Sequence, residues 1–308
     1  MRIAVMAAGA VGGYFGGRLA AAGHEVVFFA RGAHLDAIRK NGLRVESVHG
    51  DFHLRNANAT DATDGVTPVD VVLFAVKLWD SETAAQTLKP LIGPVTRIIT
   101  LQNGIDSVER IEPILGKGHV VPGMAQIASV ISAPGVVSHT SQFHLMRFNH
   151  PDGHADATLT ALVEAGQAAG IDIALSDGIV HDLWAKFVFL VGLSSITATT
   201  RLPIGATRND PDTRAFLAAI MREVVAVGRA RGAPLAADFA DKGLAFADKA
   251  PSGMKASMAH DLERGNRLEL DWLAGKVSAL GRELGVPTPA NDAVYAVLKP
   301  YRMGKASS

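Results

Sequence analysis

The sequence predicts an α/β protein in two parts: an N-terminal domain built on a parallel sheet, then a C-terminal all-helical domain. Three observations predict it. The 308 residues exceed what one hydrophobic core normally organises. Over the first half, short apolar runs alternate with helix-compatible segments, the pattern of a parallel sheet covered on both faces. Past Asp177 the apolar spacing becomes helical, with Val180, Leu183, Trp184, Phe187, Val188 and Val191 falling on one period. The boundary is expected near Ser176, giving domains 1–176 and 177–308.

Taken in order, Arg2 to Met6 is an apolar strand that meets the glycine-dense stretch Ala7 to Gly17 and a helical segment closed by Gly23. Glu25 to Ala30, Val69 to Val76 and Arg97 to Leu101 read as further strands, each followed by a helix or a turn. Gln142 to Phe148 alternates like a sheet-edge strand and ends at a Pro151, Asp152, Gly153 turn. Ala155 to Ala169 is expected to be a helix and Ile171 to Leu175 a last strand. A long helix is expected over Leu262 to Leu284.

Composition narrows the function. Hydrophobic residues make up 48% and charged residues 19%, enough for sizeable cores and too little charge for a disordered chain. Thirty basic side chains balance thirty acidic ones, so no bulk field draws the chain to nucleic acid or to an anionic membrane. Without cysteine there is no disulfide, thiolate metal site or cysteine nucleophile. The glycine-rich start lacks the basic, apolar and cleavage regions of a secretory leader, and no later run approaches about 20 unbroken apolar residues. A cytoplasmic protein is expected.

The stretch Ala7-Ala8-Gly9-Ala10-Val11-Gly12 occupies a strand-to-helix turn where a GxGxxG fingerprint would lie. Glycines there tighten the turn and let the backbone approach a pyrophosphate, which sits on the exposed N–H groups of the helix N-terminus. Ala7 stands in place of the first glycine and can serve if its φ stays negative. Strand, turn, helix and second strand follow at the spacing of a Rossmann-type nucleotide domain. At the end of the second strand, an NAD-selective site would carry an acid for the ribose 2′-hydroxyl; here stands Arg31, suited to a 2′-phosphate, so NADP(H) is expected. A solvated surface arginine is the alternative. Lys77, just past the third strand, is either a second cofactor contact or a solvated lysine beside Asp80.

In the helical half, Lys186 lies within LWAKFVFLVGLSS, with Asp182, Leu190 and Ser194 at helical spacing. It either pairs with Asp182 or serves catalysis. Glu269 has no basic residue three or four positions away on the expected helix, so it either meets a tertiary partner or ligand, or reaches solvent. Together the two would form a cation and an anion able to polarise a carbonyl and manage its proton.

These residues resemble the ketopantoate reductases (2-dehydropantoate 2-reductases) over nearly the whole chain. The marks are MRIAVMAAGAVGGYFGGRLAAAGHEV, FFARG, AVK ending at Lys77, LQNG from Leu101, LWAKF around Lys186, SMAHD from Ser257 and LELDWLAG around Glu269. The resemblance implies that Ala7, Ala8, Gly9, Ala10, Val11, Gly12 and Arg31 hold NADPH, with Lys77, Asn103 and Ser129 completing the cofactor site. Lys186 would protonate the reduced ketone, Glu269 would contact the cofactor and order Lys186, and Asn103 and Ser257 would hold substrate. The active site would lie between the domains, and the reaction would belong to pantothenate biosynthesis. The family typically carries asparagines four and eight residues after the catalytic lysine; here those substrate positions are Leu190 and Ser194, and the threonine before the glutamate is Leu268. The substrate end is therefore expected to be more apolar.

The expected partner is a small 2-oxo acid, with a homodimer left open. His49 with His53, and His150 with His154, have near-ligand spacing but no evident third ligand, so no metal is expected. No GxSxG elbow marks a serine hydrolase, and no basic aromatic stripe marks a nucleic-acid binder. Two other readings are a β-hydroxyacid or opine dehydrogenase of the same plan, and a non-catalytic NADP(H)-sensing protein.

Overall fold

The computed structural model describes residues 1–305, and the chain divides after Ile179 into two compact units. The first contains β1 (Arg2–Met6), α1 (Ala10–Ala21), β2 (Glu25–Phe29), α2 (Gly32–Asn41), β3 (Leu43–Ser47), β4 (Phe52–Leu54), β5 (Asn58–Thr60) and β6 (Val69–Phe74). It continues through α3 (Ser81–Leu88), β7 (Ile92–Thr100), α4 (Ser107–Leu115), β8 (Val120–Ala133), β9 (Val136–Phe148), α5 (Ala157–Ala168) and β10 (Asp172–Leu175).

Among the described residues, all ten strands join one sheet in the order β4-β3-β9-β8-β7-β6-β1-β2-β5, with β10 pairing β9. From β8 through β7, β6, β1 and β2 to β5 every pairing is parallel. Alternate residues of these strands enter two different cores, as burial on both faces requires. Ile3, Val5, Val71 and Leu73 pack with α1 and α5 through Phe15, Leu19, Leu159 and Leu162. Ala4, Met6, Val72 and Phe74 pack on the other face with Ala84, Leu88 and Ile111 of α3 and α4.

The sheet extends beyond the expected parallel part. β8 and β9 run antiparallel for most of their length, and β3 and β4 form a second antiparallel pair. The segment expected as an edge strand at Gln142 to Phe148 is instead the end of the thirteen-residue β9, which is flanked by β8, β3 and β10. Its alternation arises because one of its faces is only partly covered.

The second unit is helical. α6 (Ile179–Thr200) is followed by α7 (Ile204–Asn209), α8 (Pro211–Ala230), α9 (Phe239–Lys249), α10 (Ser257–Arg264), α11 (Ala274–Leu284) and α12 (Pro289–Leu298). Within this unit α6 and α8 approach closely because glycine leaves room. A side chain at Gly192 would strike Met221, and one at Gly228 would strike the ring of Trp184. Glu223 of α8 accepts from the backbone N–H of Ala290 and Asn291, satisfying the first turn of α12. α6 is long and apolar enough to cross a membrane, yet more than half of its apolar stretch is buried inside the protein. Asp182 and Lys186 interrupt its apolar surface, and it serves here as a core helix.

One sequence expectation fails in this unit. The helix expected over Leu262 to Leu284 is broken: α10 ends at Gly265, whose φ of +69° places it in the left-handed region that terminates helices. A short 3₁₀ turn, Leu270–Trp272, intervenes before α11. Glu269 sits in that break, not on a helix face.

Candidate active site

Parallel strands deliver their following loops to one edge, so the sheet order decides which loops meet. β7, β6, β1 and β2 are neighbours, and hydrogen bonds beyond the strands tie their ends together. The Ala8 N–H donates to the Phe29 carbonyl at 2.7 Å, the Leu101 N–H donates to Phe74 at 2.8 Å, and the Ala75 N–H donates to Met6. The residues after these strands are the Ala7–Gly12 turn, Arg31, Lys77 and Asn103. Four segments separated along the chain thus meet at one edge.

The turn has the shape that a dinucleotide needs. Arg201 is the one non-glycine residue with positive φ among the described residues, so Ala7 meets the condition set for alanine at that position. A Cβ at Gly12 would run into the Ala7 carbonyl and, at 2.8 Å, into Val5, so glycine is required for α1 to pack on β1. A Cβ at Gly9 would meet nothing within 4 Å: the space over this residue is open. α1 starts at Ala10, and its N-cap Gly9 supplies no side-chain cap. An uncapped helix N-terminus beneath open space fits a pyrophosphate.

Arg31 is the N-cap of α2; its side chain is 70% exposed and its guanidinium lies 4.0 Å from the Asp80 carboxylate. A pair this long and exposed contributes little to stability and leaves the fork available to a phosphate. Lys77 is exposed, with its ammonium 5.6 Å from the centre of the Trp79 ring. Asn103 is half-buried, next to Gln102, whose buried amide donates to the Val76 carbonyl and to the Ser81 hydroxyl and so locks the loop after β7. Ser129 lies elsewhere, on the antiparallel part of β8 opposite His139, and its hydroxyl is buried without a hydrogen-bond partner.

Within the second unit the structure couples Lys186 and Glu269. Lys186 is half-buried on α6, and Glu269 is 5% exposed in the break before α11. Burial lowers the Lys186 ammonium to about 8, and the charge of Glu269 opposes that fall. Glu269 therefore does not reach solvent. The break at Gly265 is what takes it off a helix surface. One turn on from Lys186, Leu190 is partly buried; two turns on, Ser194 is fully buried, and its hydroxyl, like that of Ser195, has no hydrogen-bond partner. Ser257 is exposed at the first position of α10, where the Thr197 hydroxyl of α6 accepts from the Ala256 N–H at 3.3 Å.

Sequence reasoning missed His34. Its Nε2 donates to the carbonyl of Ala8 in the fingerprint turn at 2.9 Å, and its Nδ1 accepts from the Gly135 N–H at 3.0 Å. Nothing in the spacing of the chain signals a link across 101 residues. The expectation that His150 and His154 lack a third neighbour also needs correction, because Asp156 lies beside them. Their rings stack at 3.8 Å, but both oxygens of Asp156 are already engaged, one by Arg97 and His150, the other by the N–H groups of Thr158 and Leu159. This cluster caps α5. A cavity of about 390 Å³, lined by Arg2, Glu25 and Val69, opens at the opposite, N-terminal edge of the strands and does not reach the fingerprint.

Comparison with known proteins identifies the family. The model of the family "Ketopantoate reductase PanE/ApbA" matches residues 3–150, and that of its C-terminal part matches residues 178–302. A 2-dehydropantoate 2-reductase of Mesorhizobium japonicum is 31% identical, with 97% of each chain covered. The crystal structure of a PanE/ApbA family ketopantoate reductase from Ralstonia eutropha JMP134 superposes with a TM-score of 0.89 at 33% identity, covering 98% of both chains. A D-mandelate dehydrogenase solved with NADH and anilino(oxo)acetate shares the fold, with a TM-score of 0.89 at 20% identity over 98% of both chains. With both of its parts matched and its length covered almost end to end, the chain belongs to the ketopantoate reductase family.

Proposed function

We propose that this protein is an NADPH-dependent reductase of small 2-oxo acids, converting ketopantoate to pantoate or reducing a close relative of it. The observation that carries the reading is the coupling of Lys186 with the buried Glu269: an ammonium lowered to about 8 is a far better proton donor near neutral pH than an ordinary lysine. When bound, NADPH would supply a hydride to the carbonyl carbon. Lys186 polarises the carbonyl oxygen and then protonates it, an interaction that strengthens as alkoxide charge develops. Glu269 keeps that lysine charged and oriented.

The Ala7–Gly12 turn would receive the pyrophosphate, Arg31 and Lys77 the ribose phosphate, and Asn103 the nicotinamide end or the substrate. Arg31 favours NADPH over NADH, because its fork matches a 2′-phosphate and the position offers no carboxylate to a 2′-hydroxyl. Ser129 belongs to the cofactor site only by resemblance. Ser257, on the first turn of α10, would hold the substrate carboxylate, and the enzyme would work in the cytoplasm. A second reading is favoured by Leu190: an apolar side chain one turn from the proton donor suits a 2-oxo acid bulkier and less hydroxylated than ketopantoate.

NADPH oxidation followed at saturating cofactor with ketopantoate beside a panel of bulkier 2-oxo acids tests both readings. Turnover of at least one 2-oxo acid is expected. NADPH oxidation that no carbonyl compound accelerates would refute the reductase and leave the sensing role.

A further inference from the structure

We propose that His34 is a positioning residue for the cofactor, aiming the Gly9 N–H at the pyrophosphate by gripping the far end of its peptide group. The inference rests on the reading of the Ala7–Gly12 turn as the dinucleotide site.

The tautomer follows from the two bonds. The Gly135 N–H can only donate, so Nδ1 of His34 must carry the lone pair and Nε2 the proton. Nε2–H then donates to the Ala8 carbonyl at 2.9 Å. Burial lowers the pKa of His34, which keeps the ring neutral and this pattern intact.

The Ala8 carbonyl and the Gly9 N–H belong to one planar trans peptide, so they point in opposite directions. Holding the carbonyl fixes the direction of the N–H. Gly9 is the residue with open space above it, and it caps α1 with no side chain of its own. Without His34 this peptide plane could rotate, since its flanking residues are Ala8 and a glycine. Preorganised donors bind an anion more tightly than donors that must be ordered on binding.

His34 also lies on the first turn of α2, three residues past Arg31. One imidazole therefore ties together the helix start that carries Arg31, the fingerprint turn, and the β8–β9 connection at Gly135, whose φ is +77°. The two cofactor contacts are thereby held in register by a side chain that touches neither phosphate.

The test is a titration of the full-length protein with NADPH, read by fluorescence, together with steady-state kinetics and thermal melting. His34→Ala is expected to raise the Kd for NADPH about tenfold while kcat at saturating cofactor stays within about twofold. His34→Gln, long enough for its amide N–H to reach the Ala8 carbonyl, should recover most of that affinity. His34→Asn, whose shorter amide can serve only Gly135, should not. A His34→Ala protein that melts lower yet binds NADPH as tightly as the parent would overturn the proposal, since His34 would then be a structural strut. If the alanine variant does not fold, equal affinities for the glutamine and asparagine variants would overturn it. If the parent binds no NADPH, the cofactor reading falls first and takes this inference with it.

Discussion

The two units carry their chemistry in different ways. In the first, the candidate site is made largely of backbone: an uncapped helix start, a turn that only glycine allows at Gly12, and strand ends tied by main-chain hydrogen bonds. Its charged members, Arg31 and Lys77, are exposed. In the second unit the proposed chemistry rests on two side chains, the half-buried Lys186 and the buried Glu269. A backbone site binds through dipoles that substitutions other than proline leave in place; an ion pair can be abolished by changing one atom. Substitutions in the second unit should therefore strike turnover, and those in the first should strike affinity.

The largest effect is expected at Lys186. Lys186→Ala removes the proposed proton donor and should lower kcat by about 10³-fold, within the range for general-acid groups. The Kd for NADPH should stay within about threefold, because the proposed phosphate contacts, the Ala7–Gly12 turn and Arg31, belong to the other unit. Steady-state kinetics beside a binding titration separates the two quantities. Comparable losses in both would erase the contrast.

Glu269→Gln comes next and has a sign. Lys186 must be protonated to donate, so turnover should hold below about pH 8 and fall above it. Glu269 raises the lysine's pKa against desolvation, so neutralising it should move the alkaline limb to lower pH and cut kcat at neutral pH by about tenfold. Stability should run the other way. The folded pKa of Lys186 lies below its unfolded value, so between the two the unfolded chain binds more protons, and stability rises with pH from about 8 upward. A parent profile flat to pH 10 would contradict both statements.

The same contrast explains what could be read from the chain beforehand. β1 was legible to the residue, and β2, β6, α5 and β10 nearly so, because a buried strand or a buried helix face imposes apolar runs or periods that the sequence must display. The long β8 was not legible: Val120–Ala133 changes partner midway, from parallel β7 to antiparallel β9, and has no single buried face to give a period. Glu269 was expected on the face of a long helix and lies instead in the break between α10 and α11. The left-handed Gly265 that breaks the helix is one glycine in a helical pattern, a weak signal. His34 was invisible because its two bonds are to main-chain atoms, which leave no trace in residue identity.

Arg31→Ala sharpens the comparison from the other side. Removing a fork to a phosphate should weaken NADPH by about tenfold and NADH by less than about twofold, with kcat nearly unchanged. The loss for NADPH should shrink as salt rises, since Arg31 is exposed and its attraction is screened. Equal losses for the two nucleotides would remove the 2′-phosphate from the account.

The smallest effect tests the claim that the first site is a backbone site. Two glycines in one turn, Gly9 and Gly12, should respond oppositely to the same substitution. Gly12→Ala puts a methyl against the Ala7 carbonyl and Val5, neither of which can swing aside, so it should destabilise the fold by about 1–3 kcal/mol and lower the melting temperature. Gly9→Ala meets no protein atom within 4 Å and has a φ of −71° that alanine adopts readily, so the melting temperature should stay put. Its methyl instead enters the space the pyrophosphate would use, and NADPH should bind about fivefold more weakly. The pair separates a glycine kept for packing from a glycine kept for a ligand. If Gly9→Ala left NADPH binding untouched, the open space over the helix start would not be where the phosphates lie.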